Sequence, residues 1–150
     1  IKNLNETKIL AQKFSKLLSI PFFICLCGDI GSGKTTFARF LINQFSKKKI
    51  KVLSPTFPIV QIYDLKNINI WHYDLYRIEK KNEFFNLDFD TAIGNCVIVE
   101  WPDIFLDYFP KNRIEISFQD EKNNIRDVKI KLLGTSQTIR EKLWKKLDQK

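Results

Sequence analysis

The sequence predicts an α/β domain of three layers, with a mostly parallel central sheet and an antiparallel hairpin towards the C-terminus. Three observations predict it. Helix-like and strand-like segments alternate through the first part of the chain. Two strand-like segments of alternating polarity flank a polar turn late in the chain. Near residue 30, a continuous apolar run meets an amphipathic run across a glycine-rich loop, as where a buried parallel strand joins a helix.

In "LNETKILAQKFSKLLSI", Leu10, Phe14, Leu17 and Leu18 recur at helical spacing. Asn3 or Asn5 can cap this helix, and Pro21 stops it. "FFICLC" is short and wholly apolar, the pattern of a strand buried on both faces. "TTFARFLINQF" carries Phe37, Phe40, Leu41 and Phe45 on one helical stripe. "KKKIKVL" is expected to lead into a short strand. "SPTFP" is expected to be extended, because each proline disfavours helix in the residue before it. "IVQIY" and "INIWHYDLY" read as neighbouring strands across "DLKN", and "EKKNEFF" as a helix. "NCVIVEWP" holds another buried strand, ended by Glu100 and broken by Pro102. "RIEISF" and "IRDVKIKLL" alternate around "QDEKNN" as a hairpin. "TSQTIREKLWKKLDQ" reads as a closing amphipathic helix.

The 150 residues suit a single domain spanning 1–150. An apolar content of 44% excludes a disordered composition. The longest apolar run, Phe22 to Cys27, is too short to cross a bilayer. No charged-then-apolar leader is seen, so a cytosolic protein is expected. The chain begins at Ile1 and lacks Met, so its numbering is expected to start after the gene's first codon. Three cysteines without metal-site spacing read as reduced, with Cys25 and Cys27 on one strand face. The net charge of +8 fits either a nucleic-acid partner or a lysine-rich surface from an AT-rich genome. The lysines are dispersed, and no aromatic-and-basic RNA motif accompanies them.

Three of the five glycines fall in "CGDIGSGKTTF". Gly28 to Thr35 fits G-x-x-x-x-G-K-[ST] in full. In such a P-loop, successive N–H groups and a helix N-terminus cradle phosphate. Lys34 is expected to reach the β- and γ-phosphates, and Thr35 to offer its hydroxyl to Mg²⁺. A P-loop does not choose a reaction. Two acids stand where the carboxyl edge of the sheet is expected: Glu100 after "CVIV" and Asp74 after "IWHY". Glu100 has the pattern of a carboxylate helping to hold Mg²⁺. Asp74 either serves the site or pairs with Arg77. His72, the single histidine, shares the strand face of Asp74, with nothing nearby in sequence to complete a relay. Thr56, among Ser54, Pro55 and Pro58, lies in a stiff loop able to sense a γ-phosphate. Trp101 either packs on the loop or a partner, or is core.

"GDIGSGKTT", "SPTF", "HYDLYR" and "VEWP", in this order, closely resemble the bacterial TsaE (YjeE) family of the tRNA threonylcarbamoyladenosine (t6A) pathway. The similarity runs from about Thr7 to the last hairpin. It implies a small P-loop ATPase fold, weak ATP hydrolysis with ATP and Mg²⁺ bound, and the proteins TsaD and TsaB as partners. Contact with tRNA would be indirect or weak, without membrane or DNA. Phosphates would rest on Gly31, Ser32, Gly33, Lys34, Thr35 and Thr36, and Mg²⁺ on Thr35 and Glu100. Lys34, Thr56, Asp74 and Glu100 would serve hydrolysis, and Thr7 would approach the adenine. The chain departs from the family at Pro58, where a polar residue is usual, and after "EWP", where a glycine is often found. No arginine finger is obvious; Arg39, Arg77 and Arg126 are candidates. Rival readings are a small nucleotide or metabolite kinase, a GTPase switch, and a nucleotide-gated binding subunit without useful turnover. The kinase would need a lid, and the GTPase an N-K-x-D-type motif; neither is seen.

Overall fold

The computed structural model describes residues 1–120, 125–134 and 137–148. Its centre is a six-stranded sheet in the order β2-β3-β4-β1-β5-β6. The strands are β1 (Phe23–Cys27), β2 (Val60–Leu65), β3 (Ile68–Asp74), β4 (Cys96–Glu100), β5 (Arg113–Asp120) and β6 (Arg126–Leu133). The inner four run parallel, while β2 pairs antiparallel with β3 and β6 with β5. The sheet is thus mostly parallel and closes on the expected C-terminal hairpin. Residues 121–124 of the expected hairpin turn lie outside the described residues.

Helices α1 (Leu4–Leu17), α2 (Lys34–Gln44) and α5 (Gln137–Asp148) flank the sheet, with α3 (Lys81–Phe85) and α4 (Phe89–Ala92) between β3 and β4. A 3₁₀ turn, Asp103–Tyr108, follows β4. Asn3 caps α1, its side chain accepting the Glu6 N–H. Strand alternation divides the core in two. Ile24, Leu26, Ile70 and Ile98 join Phe14, Phe37 and Leu41 of α1 and α2 in one cluster. Phe23, Cys25, Tyr73, Val97 and Val99 join Phe84, Phe89 and Phe105 in the other. This is the layered arrangement expected of a doubly covered parallel sheet.

Two local expectations fail. Residues 50–53 form no strand. Their backbone is held by α2 side chains instead: Arg39 Nε donates to Val52 O at 2.9 Å, and Asn43 Oδ1 accepts from Ile50 N at 2.9 Å. With those partners the segment needs no strand neighbour. Likewise, "SPTFP" is not extended throughout. Residues 56–58 turn, Ile59 takes φ 68°, and its N–H donates to Pro55 O at 2.6 Å. No helix among the described residues is long and apolar enough to cross a membrane.

The three cysteines are free. Burial pushes the thiols of Cys25 and Cys96 up, and that of Cys27 up to about 11. All three should therefore be protonated at pH 8 and react slowly with a thiol reagent until the chain unfolds, as a labelling time course with and without urea checks. Phe37 is fully buried, with ring centroids 5.7 Å from Phe14 and 5.8 Å from Phe118. Phe37→Ala should cost about 3–5 kcal/mol in urea unfolding.

Candidate functional site

The site forms where three neighbouring strands end. The register sets Leu26 of β1 opposite Glu100 of β4, and Glu100 opposite Asp74 of β3. Period-two alternation then turns Ile70, His72 and Asp74 to the α2 side of the sheet, and Ile98 and Glu100 with them. The phosphate-loop sequence leaves β1 at the same edge and opens α2 at Lys34.

Two glycines of that loop have distinct reasons. Gly28, at φ 131°, packs so tightly on β5 that a Cβ would run into the Phe118 carbonyl oxygen. Gly31, at φ 79°, has no atom within 4 Å of where its Cβ would stand. It leaves open backbone facing a cavity of about 330 Å³. Gly31, Gly33, Lys34, Thr35 and Thr36 form one wall of the cavity; Ser54, Thr56, Asp74, Glu100 and Trp101 form the others.

Lys34 is 4% exposed, and its Nζ donates to Gly28 O at 2.6 Å and Asp29 O at 2.8 Å. The ammonium also lies 3.8 Å from the Trp101 ring centroid. Burial lowers the Lys34 pKa, opposed by the fields of Glu100, Asp74 and Asp29. Thr35 Oγ1 donates to Glu100 Oε2 at 2.8 Å, and His72 Nε2 lies 2.8 Å from Glu100 Oε1. Asp74 Oδ2 accepts from Thr56 Oγ1 at 2.6 Å and from Ser54 Oγ at 3.2 Å, and Oδ1 from Tyr76 N at 3.0 Å.

Eight of the ten residues marked out in the sequence therefore meet in one cavity. The other two do not line it. Ser32 is buried, its N–H donating to Asp29 O at 3.1 Å. Thr7 lies buried in the first turns of α1, its hydroxyl donating to Asn3 O at 3.3 Å. His72, expected to lack a relay partner, has one in Glu100. Its two-residue spacing from Asp74 on one strand face was the available signal. Of the three arginines, Arg39 holds Val52 and Arg77 lies 5.4 Å over the Phe57 ring. Arg126 reaches the loop, donating from Nη2 to Gly31 O at 3.2 Å and from Nε to Asp120 Oδ1 at 3.1 Å.

The donor set fits Mg²⁺. It offers a hydroxyl and a carboxylate side by side, hard oxygen ligands that leave room for phosphate and water. Among the described residues, no cluster of three His, Cys, Asp or Glu side chains forms a closed metal cage.

Known proteins share this arrangement of sequence and fold. The family model described as "Threonylcarbamoyl adenosine biosynthesis protein TsaE" matches residues 1–128. The chain belongs to the TsaE family. A Rickettsia typhi protein named tRNA threonylcarbamoyladenosine biosynthesis protein TsaE is 39% identical over 127 residues, covering 84% of this chain and 88% of its own. The Bacillus subtilis protein of that name is 30% identical over 133 residues, covering 88% and 83%. The crystal structure of Bacillus subtilis YdiB superposes with a TM-score of 0.71 at 25% identity, over 95% of this chain and 90% of that one. The TsaE fold here is thus P-loop NTPase-like, and its family belongs to tRNA t6A biosynthesis.

The two TsaE loop glycines should respond differently to alanine. Gly31→Ala carries only its positive φ and should cost about 1 kcal/mol. Gly28→Ala adds a backbone clash and should cost about 3 kcal/mol or more, read from urea midpoints.

Proposed function

We propose that this chain binds and hydrolyses Mg-ATP as the ATPase subunit of t6A modification, acting in the cytosol with TsaD and TsaB. One observation carries the reading: a P-loop lysine and threonine face two buried carboxylates across a single cavity. Lys34 supplies positive charge to the β- and γ-phosphates, and the loop amides from Gly31 to Thr36 receive their oxygens. Thr35 and Glu100 would hold Mg²⁺, which when bound would neutralise phosphate charge. Asp74 keeps Thr56 and the 54–58 loop drawn against the cavity, so a change at the terminal phosphate is felt in that loop. Any tRNA contact is indirect or weak.

No arginine lines the cavity among the described residues. An arginine finger is worth about 10³–10⁵ in rate. Turnover should therefore be slow alone and faster in the complex. An isolated chain as fast as the complex would defeat that part of the reading.

Reconstituted tRNA modification, with the product nucleoside read by mass, tests the whole. Lys34→Ala should abolish ATP-dependent product and weaken ATP binding about 10- to 100-fold, the scale of one charge-assisted contact. Asp74→Asn should slow hydrolysis more than it weakens nucleotide binding. Full product with Lys34→Ala would sink the proposal.

A further inference from the structure

His72 is an odd residue for its place. It is fully buried on β3, on the α2 side of the sheet. Its Nδ1 is buried with no hydrogen-bond partner among the described residues. Leaving a buried ring nitrogen unmatched costs stability, and an aliphatic side chain would pack there without that loss. What the ring does through its other nitrogen explains its presence.

Nε2 lies 2.8 Å from Glu100 Oε1. A carboxylate oxygen only accepts, so Nε2 carries the hydrogen. The parallel register places His72 opposite Ile98, one step along the same face from Glu100. The bond therefore runs diagonally between adjacent strands over a short, rigid path. Thr35 takes the other carboxylate oxygen at 2.8 Å. One oxygen faces the core and the other faces the phosphate loop.

We propose that His72 is a positioning residue that clamps Glu100, so that Oε2 stays turned towards Thr35 and the phosphate cradle. The proposal rests on the reading of Thr35 and Glu100 as the Mg²⁺ pair. Groups that orient a metal's ligands set its affinity, and losing one costs about 10–100-fold. His72 touches neither nucleotide nor metal; it acts through Glu100.

Two amide substitutions separate this role from simple packing. The amide nitrogen of glutamine reaches about as far as Nε2, whereas that of asparagine reaches only to the level of Nδ1. The full chain is compared with its His72→Gln, His72→Asn and Glu100→Gln variants. Two readouts are taken: ATP affinity in chelator, and the Mg²⁺ concentration giving half of the Mg²⁺-dependent rise in melting temperature at saturating ATP.

His72→Asn should need about 10–100-fold more Mg²⁺ while binding ATP in chelator unchanged, and His72→Gln should stay within about 3-fold of wild type. Equal shifts in the two variants, or no shift in His72→Asn, would overturn the clamp. If His72→Asn fails to melt cooperatively, His72→Gln decides. A Mg²⁺ requirement nearer wild type than that of Glu100→Gln supports the clamp, and one equal to it overturns it. Absence of any Mg²⁺ effect in wild type would overturn the underlying metal reading, and the clamp with it.

Discussion

The site depends on one constraint, the in-register parallel pairing of β3 with β4 and β4 with β1. It sets Asp74, Glu100 and Leu26 in a row at one edge of the sheet. Because side chains alternate with period two, the same register decides which face the acids use. A slip of one residue in β4 would turn Glu100 away from Thr35 and bring Val99 into its place. The core reinforces the register. Ile98 and Ile70 pack in the α2-side cluster, and Val97, Val99 and Tyr73 in the opposite one, so a slip would exchange these faces and turn the Glu100 carboxylate into the apolar cluster opposite α2.

That geometry gathers charge where water is scarce. Glu100 is 1% exposed and Asp74 2%. Buried charges are tolerated only when paired or hydrogen-bonded. Here each is satisfied from a different element. Glu100 takes donors from α2 and β3, Asp74 takes donors from the 54–58 loop and its own chain turn, and Lys34 donates to two loop carbonyls. The polar network thus ties α2, β3, β4 and the loop into one unit. Removing one member leaves its partner buried and unmatched.

Sequence alone revealed what is local or periodic. The spacing of Gly28, Gly31, Gly33 and Lys34 is contiguous, and the apolar runs before Glu100 and Asp74 mark strand ends. Face assignment followed too, since His72 and Asp74 differ by two. The order of strands did not follow. β4 inserts between β3 and β1, and nothing in the chain announces that, so the bond from His72 to Glu100 across 28 positions was hidden. Residues 50–53 were misread because Ile50 and Val52 alternate as in a strand, while the groups satisfying their backbone come from α2. The turn at residues 56–58 was misread because prolines bias only their preceding residues; Ile59, at positive φ, is held by backbone bonds to Pro55 and to the distant Asp74. Arg126 could not be singled out for a related reason. Its approach to Gly31 needs β6 to fold back along β5 beside the loop.

The charges lining the cavity bear on the proposed chemistry. One ammonium, Lys34, stands against two carboxylates, Asp74 and Glu100, leaving a surplus negative charge in the wall. A triphosphate entering that space meets repulsion as well as the loop amides. Two unit charges 4 Å apart interact by about 4 kcal/mol at a dielectric near that of a protein surface. A divalent cation held at Glu100 would reverse the sign of that interaction. Lys34 is one cation against two carboxylates, and its ammonium already donates to Gly28 O and Asp29 O. Arg126 lies at the loop backbone, its guanidinium divided between Gly31 and Asp120 and outside the cavity wall. On the proposed reading such a wall suits a metal-bound nucleotide, and among the described residues it brings no guanidinium to the developing charge of phosphoryl transfer. A partner that brings a guanidinium to this edge would supply what the described lining of the cavity lacks.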